Sequence, residues 1–269
     1  MRIVTFDDGR GPRAGVLRDG GVVDAGGPSV RELLASGRQT EIGDGQPVAL
    51  DRVRLLAPIP DPEKIVCIGL NFHAHARETK QEPPTTPTFF AKYRNALAAP
   101  GGEVELPRFS SKVDYEGEVV CAIGARCRNV AAEDAGDVVA GYMLGNDLSA
   151  RDFQYLTPQW GPGKVFDGSA PCGPALVTPD EAGPADAIAF ELTLNGTTMQ
   201  SSSTADLIHS VGDVIAWLSM LMTLEVGDLI FLGTPAGVGR VRDPPVFLSP
   251  GDVVVVSSPT LGTLETTLR

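Results

Sequence analysis

Polar and apolar residues alternate with a period of two along much of the chain, which is the pattern of half-buried strands. Region 1–60 carries three such runs, "MRIVTF", "RAGVL" and "GVVDA", separated by turns of Gly, Asp and Arg. "SVRELLASG" departs from them with helical spacing, Ser29 as N-cap and Gly37 as the stop. Pro58, Pro60 and Pro62 then make a stiff connector, and the apolar "KIVCIGL" after it reads as a buried strand. The spacing therefore predicts a small β-rich N-terminal domain over 1–60 and a larger domain over 61–269. In the larger region "AFELTLNGTTMQSSS" alternates on both sides of Asn195-Gly196, a strong hairpin signal. The period changes in "STADLIHSVGDVIAWLSMLMTL". Its Leu207, Val211, Val214, Leu218 and Leu221 share one helical face, with Ser203 or Thr204 as the cap. "GDLIFLG" and "GDVVVVSS" are strands entered through Gly-Asp turns. Many short strands with few long helices predict a mixed α+β fold, mainly β, and argue against a doubly wound parallel sheet.

One strand carries an anomaly. "VDYEGEVVCAIG" sets Glu116 and Glu118 two residues apart at the mouth of an apolar run. On a strand such residues share a face, roughly 6.5–7 Å apart. Like charges repel, and burying either one unpaired is costly. Water, a basic side chain or a metal ion must compensate. Asp147, in "GYMLGNDLSARD", follows another apolar run at a strand end. Together Glu116, Glu118 and Asp147 would form an all-oxygen site that suits Mg²⁺ or Mn²⁺, with Ca²⁺ a further candidate, better than Zn²⁺.

"GLNFHAHARE" adds His73, His75 and Glu78. On a helical turn His75 and Glu78 lie on one face, and a carboxylate beside an imidazole orients it and raises its basicity. That is the build of a general base, although a lone pair of this kind is more often a surface salt bridge. His209 reads as a packed or surface histidine. "GTPAGVG" (Gly233 to Gly239) lacks dinucleotide-binding spacing, and "RVRDPPVF" after it cannot open a helix. What remains for it is a loop whose backbone amides face an anionic ligand. Lys164 in "GPGKVFD" is not a P-loop lysine, because the required spacing is missing.

Composition narrows the partners. The 34 acidic and 22 basic residues give a net charge of −12, which argues against nucleic acid or an anionic membrane. No apolar stretch reaches the length of a membrane helix. Four cysteines without a CxxC pair, and no signal peptide, predict reduced thiols in a cytoplasmic protein. Asn195-Gly196-Thr197 matches a glycosylation acceptor but reads better as the hairpin turn.

The succession "CIGLNFHAHARE", "TPTFFAK", "KVDYEGEV", "GYMLGNDLSARDFQ", "GKVFDGSAPCGP" and "IFLGTPAGVG" resembles the fumarylacetoacetate hydrolase family, from about Asp61 to the C-terminus. The resemblance implies a β-roll catalytic domain, a small N-terminal β domain and a homodimer. It implies a divalent ion, usually Mg²⁺ or Mn²⁺, on Glu116, Glu118 and Asp147. It makes His75 and Glu78 a water-activating pair on a lid segment, and places Lys164 at a substrate oxygen near the metal. Lys92, Arg151, Gln154 and Thr234 match positions that bind substrate. Two departures stand out. The chain continues Tyr93-Arg94-Asn95 after Lys92, where the family usually has Pro and a small polar residue, and His73 replaces Ala or a polar residue. The expected activity is divalent-metal-dependent hydrolysis of the C–C bond of a β-diketo acid, of acylpyruvate or fumarylpyruvate type, through an enolate stabilised by the ion. The alternative is a decarboxylase, tautomerase or isomerase of an unsaturated 2-oxo dicarboxylate, of oxaloacetate or 2-hydroxyhepta-2,4-dienedioate type, at the same site. Either way the expected partner is a small oxo acid. A non-catalytic binder of small dicarboxylates is the reading from a different class.

Overall fold

The computed structural model describes every residue except 28, 39–41, 43 and 44. Among the described residues thirteen strands of three or more residues carry the architecture. They are β1 (Arg2–Asp7), β2 (Arg13–Arg18), β3 (Gly21–Asp24), β4 (Ile65–Gly69), β5 (Thr88–Lys92), β6 (Gly117–Ile123) and β7 (Val139–Asn146), followed by β8 (Ala170–Val177), β9 (Ala189–Leu194), β10 (Thr197–Ser203), β11 (Leu229–Phe231), β12 (Val253–Ser258) and β13 (Gly262–Leu268). The helices are short: α1 (Val30–Ala35), α2 (His73–Glu78), α3 (Arg151–Gln154), α4 (Pro179–Ala182) and α5 (Val211–Leu221). The protein is mainly β, as its period-two patterning predicts.

Among the described residues one large sheet runs β3-β2-β1-β8-β7-β6-β11-β4-β5. β1 pairs antiparallel with β8, so the N-terminal strands extend the sheet formed by the later chain. β11 and β4 are parallel neighbours, placing the start of the "GTPAGVG" loop beside the segment that leads into α2. A second sheet, β10-β9-β12-β13, packs against the first.

β6 lies between β7 and β11 and is buried along its whole length. Its Val119, Cys121 and Ile123 enter the core shared with the second sheet and α5, while Val120 and Ala122 enter the core under α1. A strand covered on both faces reads as a continuous apolar run rather than an alternating one. Glu116 and Glu118 sit where that run begins, with no bulk water to stabilise them.

Local sequence signals account for several ends. Ser29 and Glu32 form a reciprocal capping box at α1. Asn195 and Gly196 both take positive φ, +50° and +79°, closing the β9–β10 hairpin as the glycosylation-like triplet's turn reading expects. The last helix differs from expectation. It begins at Val211, capped by Ser210 and Asp213, not at Ser203 or Thr204. Thr204–Asp206 is a separate 3₁₀ turn, and Leu207 bridges to Phe72 instead of joining the helical face. All four cysteines are buried and unpaired. No described helix is long and apolar enough to cross a membrane.

Candidate metal centre and active site

Glu116, Glu118 and Asp147 converge: one oxygen from each lies within 4.8 Å of the other two, and all three residues are buried. Backbone pairing brings them together. β6 runs antiparallel to β7 with Gly117 opposite Asn146, and the Asp147 amide donates to the Glu116 carbonyl at 2.8 Å. The Asn146 side chain accepts from the Glu116 amide at 2.9 Å, fixing the residue just before the strand.

Two of the three carboxylates have cationic partners. Lys164 Nζ sits 2.7 Å from Glu116 and 2.6 Å from Asp147. Arg151 Nη1 is 2.7 Å from the other Glu116 oxygen, and its Nε and Nη2 grip Asp114 at 2.8 and 2.7 Å. Burial pushes the Glu116 carboxyl up, yet Arg151 and Lys164 outweigh it and hold it well below the usual carboxylate range. Burial likewise opposes the charge of Lys164, and Asp147 and Glu116 outweigh it, so Lys164 is a fixed cation rather than a base.

Glu118 has no such partner. Among the described residues its one hydrogen-bond donor is the Gly233 amide, at 2.7 Å. Burial first, then the charges of Asp147 and Glu116, drive its carboxyl well above the usual range. Asp147 Oδ1 also lacks an aligned donor: Lys92 Nζ stands 2.7 Å away, off the hydrogen-bonding direction. Converging oxygens, one of them without a cation and another without an aligned donor, are what a hard divalent ion fits.

His75 and Glu78 lie on α2 as predicted, with His75 Nδ1 3.0 Å from Glu78 Oε1. The second Glu78 oxygen accepts from the Gly237 amide at 2.7 Å. With the Nδ1 proton assigned to Glu78, Nε2 is the basic nitrogen. His75, the acidic triad, Arg151, Gln154, Lys164 and Thr234 all line one cavity of about 60 Å³. Gln154 Oε1 accepts from Arg151 at 3.0 Å. Thr234 Oγ1 donates to the Gly117 carbonyl at 3.0 Å.

Lys92 lies elsewhere. It is buried behind Asp147, with Nζ donating to the Ser169 carbonyl at 2.7 Å and to its hydroxyl at 3.0 Å. The unusual Tyr93-Arg94-Asn95 also lies outside the cavity: Tyr93 is exposed, and Asn95 clamps Val165 and Asp167 just after Lys164. His73 is exposed, and His209 sits in the irregular stretch before α5. The "GTPAGVG" amides do face anions, but the anions are the protein's own side chains. Gly233 holds Glu118, Gly237 holds Glu78, and Gly239 holds Asp114. A Cβ on Gly239 would stand 2.0 Å from the Val246 carbonyl, and Gly233 takes φ +99° with Asn71 at 3.0 Å, so neither position accepts a side chain.

Residues the sequence reading missed are Gln81, Phe90, Tyr155, Trp160 and Arg240, which line the cavity together with Ile68, Gly69 and Leu70, and Asp114 and Gln200 behind it. Gln200 on β10 bonds the Gly117 amide, Thr234 and the Pro235 carbonyl, stapling β6 to the glycine loop. Asp114 lay inside the quoted "VDYEGEV" block and was legible as an acid beside the triad.

Residues 64–269 match the family described as Fumarylacetoacetate (FAA) hydrolase C-terminal. The chain belongs to the fumarylacetoacetate hydrolase family. Residues 1–58 match the family described as Rv2993c-like, N-terminal. A relative from Xenopus laevis, named oxaloacetate tautomerase fahd2, mitochondrial, is 38% identical over 98% of this chain and 89% of its own. A putative HpcE protein from Mycobacterium smegmatis has the same fold, with a TM-score of 0.91 and 34% identity over 100% of this chain and 99% of that one. Two further solved structures of this fumarylacetoacetate hydrolase fold carry different reactions in their names. One is a 5-carboxymethyl-2-hydroxymuconate delta-isomerase from Mycobacterium smegmatis, at 30% identity and TM-score 0.84, with 100% and 99% covered. The other is a maleylpyruvate hydrolase from Sphingobium, at 28% and 0.81, with 100% and 99% covered. The β-roll fold is thus the family's, and the family is one of enzymes whose members include hydrolases, isomerases and tautomerases.

Proposed function

We propose that the protein uses a divalent ion and His75 to move a proton on a small 2-oxo acid, with keto–enol tautomerisation as its reaction. The observation that carries this reading is a single cavity lined by the acidic triad and by a histidine tied to a carboxylate. Held by Glu116, Glu118 and Asp147, Mg²⁺ or Mn²⁺ would supply Lewis-acid polarisation of a carbonyl oxygen. His75 Nε2 takes a proton from the carbon beside the ketone. The C–H electron pair becomes the enol double bond, and the proton passes to the oxygen, so no other reactant is consumed. Glu78 holds the ring and stabilises its charged form, and the Lys164 ammonium opposes negative charge developing on the oxygen. Lys92 acts through Asp147, which it steadies from behind, rather than by touching substrate. The name of the frog relative supports this reaction.

The hydrolytic reading is the second, supported by the likeness to the maleylpyruvate hydrolase. In it His75 takes the proton from water and hydroxide adds to the distal carbonyl of a β-diketo acid. The C–C bond then breaks, and the enolate carbon regains a proton. We place the enzyme in the cytoplasm as a homodimer. Incubating it with Mn²⁺ and a panel of oxaloacetate and acylpyruvates separates the readings. Enol decay to a single isomer is expected, and release of two acids would replace tautomerisation by hydrolysis. His75→Ala is expected to lower kcat about 10²–10⁴-fold with Mn²⁺ binding intact; undiminished turnover would remove His75 from the mechanism.

A further inference from the structure

We propose that Arg240 anchors a second carboxylate of the substrate, so that the site selects 2-oxo dicarboxylates over 2-oxo acids with an apolar end. Among the described residues three arginine or lysine side chains line the cavity, and two of them are committed. Arg151 is held by Asp114, Glu116 and Gln154, and Lys164 by Glu116 and Asp147. Arg240 is different. Among the described residues no carboxylate lies within ion-pair distance of it, and its buried Nε has no hydrogen-bond partner. Its guanidinium lies over the Tyr155 ring, 5.5 Å from the guanidinium carbon to the ring centre.

A buried guanidinium nitrogen without an acceptor is costly, and the cost falls when a ligand supplies one. The planar fork of arginine is matched to a carboxylate. The backbone holds Arg240 in place regardless of its side chain: the Gly239 and Arg240 amides both donate to Asp114, at 2.8 and 3.1 Å. Asp114 in turn grips Arg151, which binds Glu116. One buried acid therefore fixes the metal-side arginine through its side chain and the free arginine through its main chain. Stacking on Tyr155 restrains the guanidinium further.

The inference rests on the reading that the triad takes the 2-oxo acid head of the substrate. It is tested by calorimetric binding to the full chain, with and without Mn²⁺, using 2-oxoglutarate and 2-oxopentanoate. These two have the same head and chain length and differ only in a terminal carboxylate or methyl. Wild-type protein is expected to prefer 2-oxoglutarate by about tenfold or more, the scale of one charge-assisted hydrogen bond. Arg240→Gln should abolish that preference while leaving 2-oxopentanoate binding unchanged, and Arg240→Lys should keep part of it. A preference that survives in Arg240→Gln would overturn the assignment, as would equal weakening of both ligands, which marks a structural role, or failure of wild-type protein to bind 2-oxoglutarate. Arg240-dependent binding of 2-oxoglutarate without any contribution from Mn²⁺ would instead keep the anchor and reject the metal-centred reading of the head.

Discussion

Two clusters of charge in this molecule use the same side-chain types to opposite ends. On the N-terminal hairpin Asp8 and Asp24 face Arg10 and Arg13. Arg13 binds Asp8 through two nitrogens, at 2.9 and 2.7 Å, and Asp24 at 2.7 Å, while its guanidinium lies over Phe6 at 4.3 Å. Two acids meet two bases, and the cluster is complete. In the ion-paired network at the triad Asp114, Glu116, Glu118 and Asp147 face Arg151, Lys164 and Lys92, which is four acids against three bases, with Arg240 standing apart on the cavity wall. The missing partner is that of Glu118, whose one donor among the described residues is a backbone amide. Paired charges in a balanced surface cluster stabilise modestly. An unbalanced buried one is relieved by a proton or by a further cation, and is thereby a site.

The widest gap between the clusters should open at Glu118. Glu118→Gln is expected to abolish the rise in Tm that Mn²⁺ gives the wild type. That rise corresponds to about 2.7 kcal/mol with the ion at a hundred times its Kd. The same change should leave the Tm of metal-free protein unchanged or higher, because burial and the neighbouring acids already favour the uncharged form of Glu118, which glutamine mimics. A metal-free variant much less stable than wild type would make Glu118 a structural ion instead. The largest effect on metal-free stability is expected from Lys164→Met, which leaves Glu116 and Asp147 short of their shared cation. Breaking a buried pair costs about 3–5 kcal/mol, read as a lower urea midpoint without metal; a midpoint like that of wild type would show that the acids do not need Lys164. The smallest effect belongs to the hairpin. Arg13 and then Arg10 hold Asp8 well below the usual carboxylate range. A depressed carboxylate contributes stability that is present above its unfolded pKa, about 3.9. That stability is lost as pH falls through the folded value. Asp8→Asn should therefore lower Tm slightly at neutral pH and converge on wild type in strong acid. A difference that grows on acidification would contradict the pairing.

Much of the site was legible because its parts are short, local blocks. Glu116 and Glu118 announce themselves as two acids inside an apolar strand, and His75 and Glu78 as neighbours on one turn. Gln200 was not legible. It sits in a Ser- and Thr-rich strand, and its partners at Gly117 and Thr234 are 83 and 34 residues away. The start of α5 was misplaced for a related reason. Leu207 fits the helical period, but Asn71 accepts from the Ile208 and His209 amides, and Asp206 accepts from the Ala74 amide. Those bonds from the α2 segment hold 206–209 out of the helix, overriding local spacing. The Ser210/Asp213 box was present in the sequence and marked the true start.

The seven residues from Gly233 to Gly239 act as a common datum for the molecule. Three of their amides set the height of a metal-binding acid, the acid behind the histidine, and the acid behind both arginines. Lengthening or shortening this loop by one residue would misalign cation binding, proton transfer and substrate grip in one stroke. New substrates are therefore reached more readily through wall side chains such as Arg240 and Tyr155, which can change while the datum stays fixed.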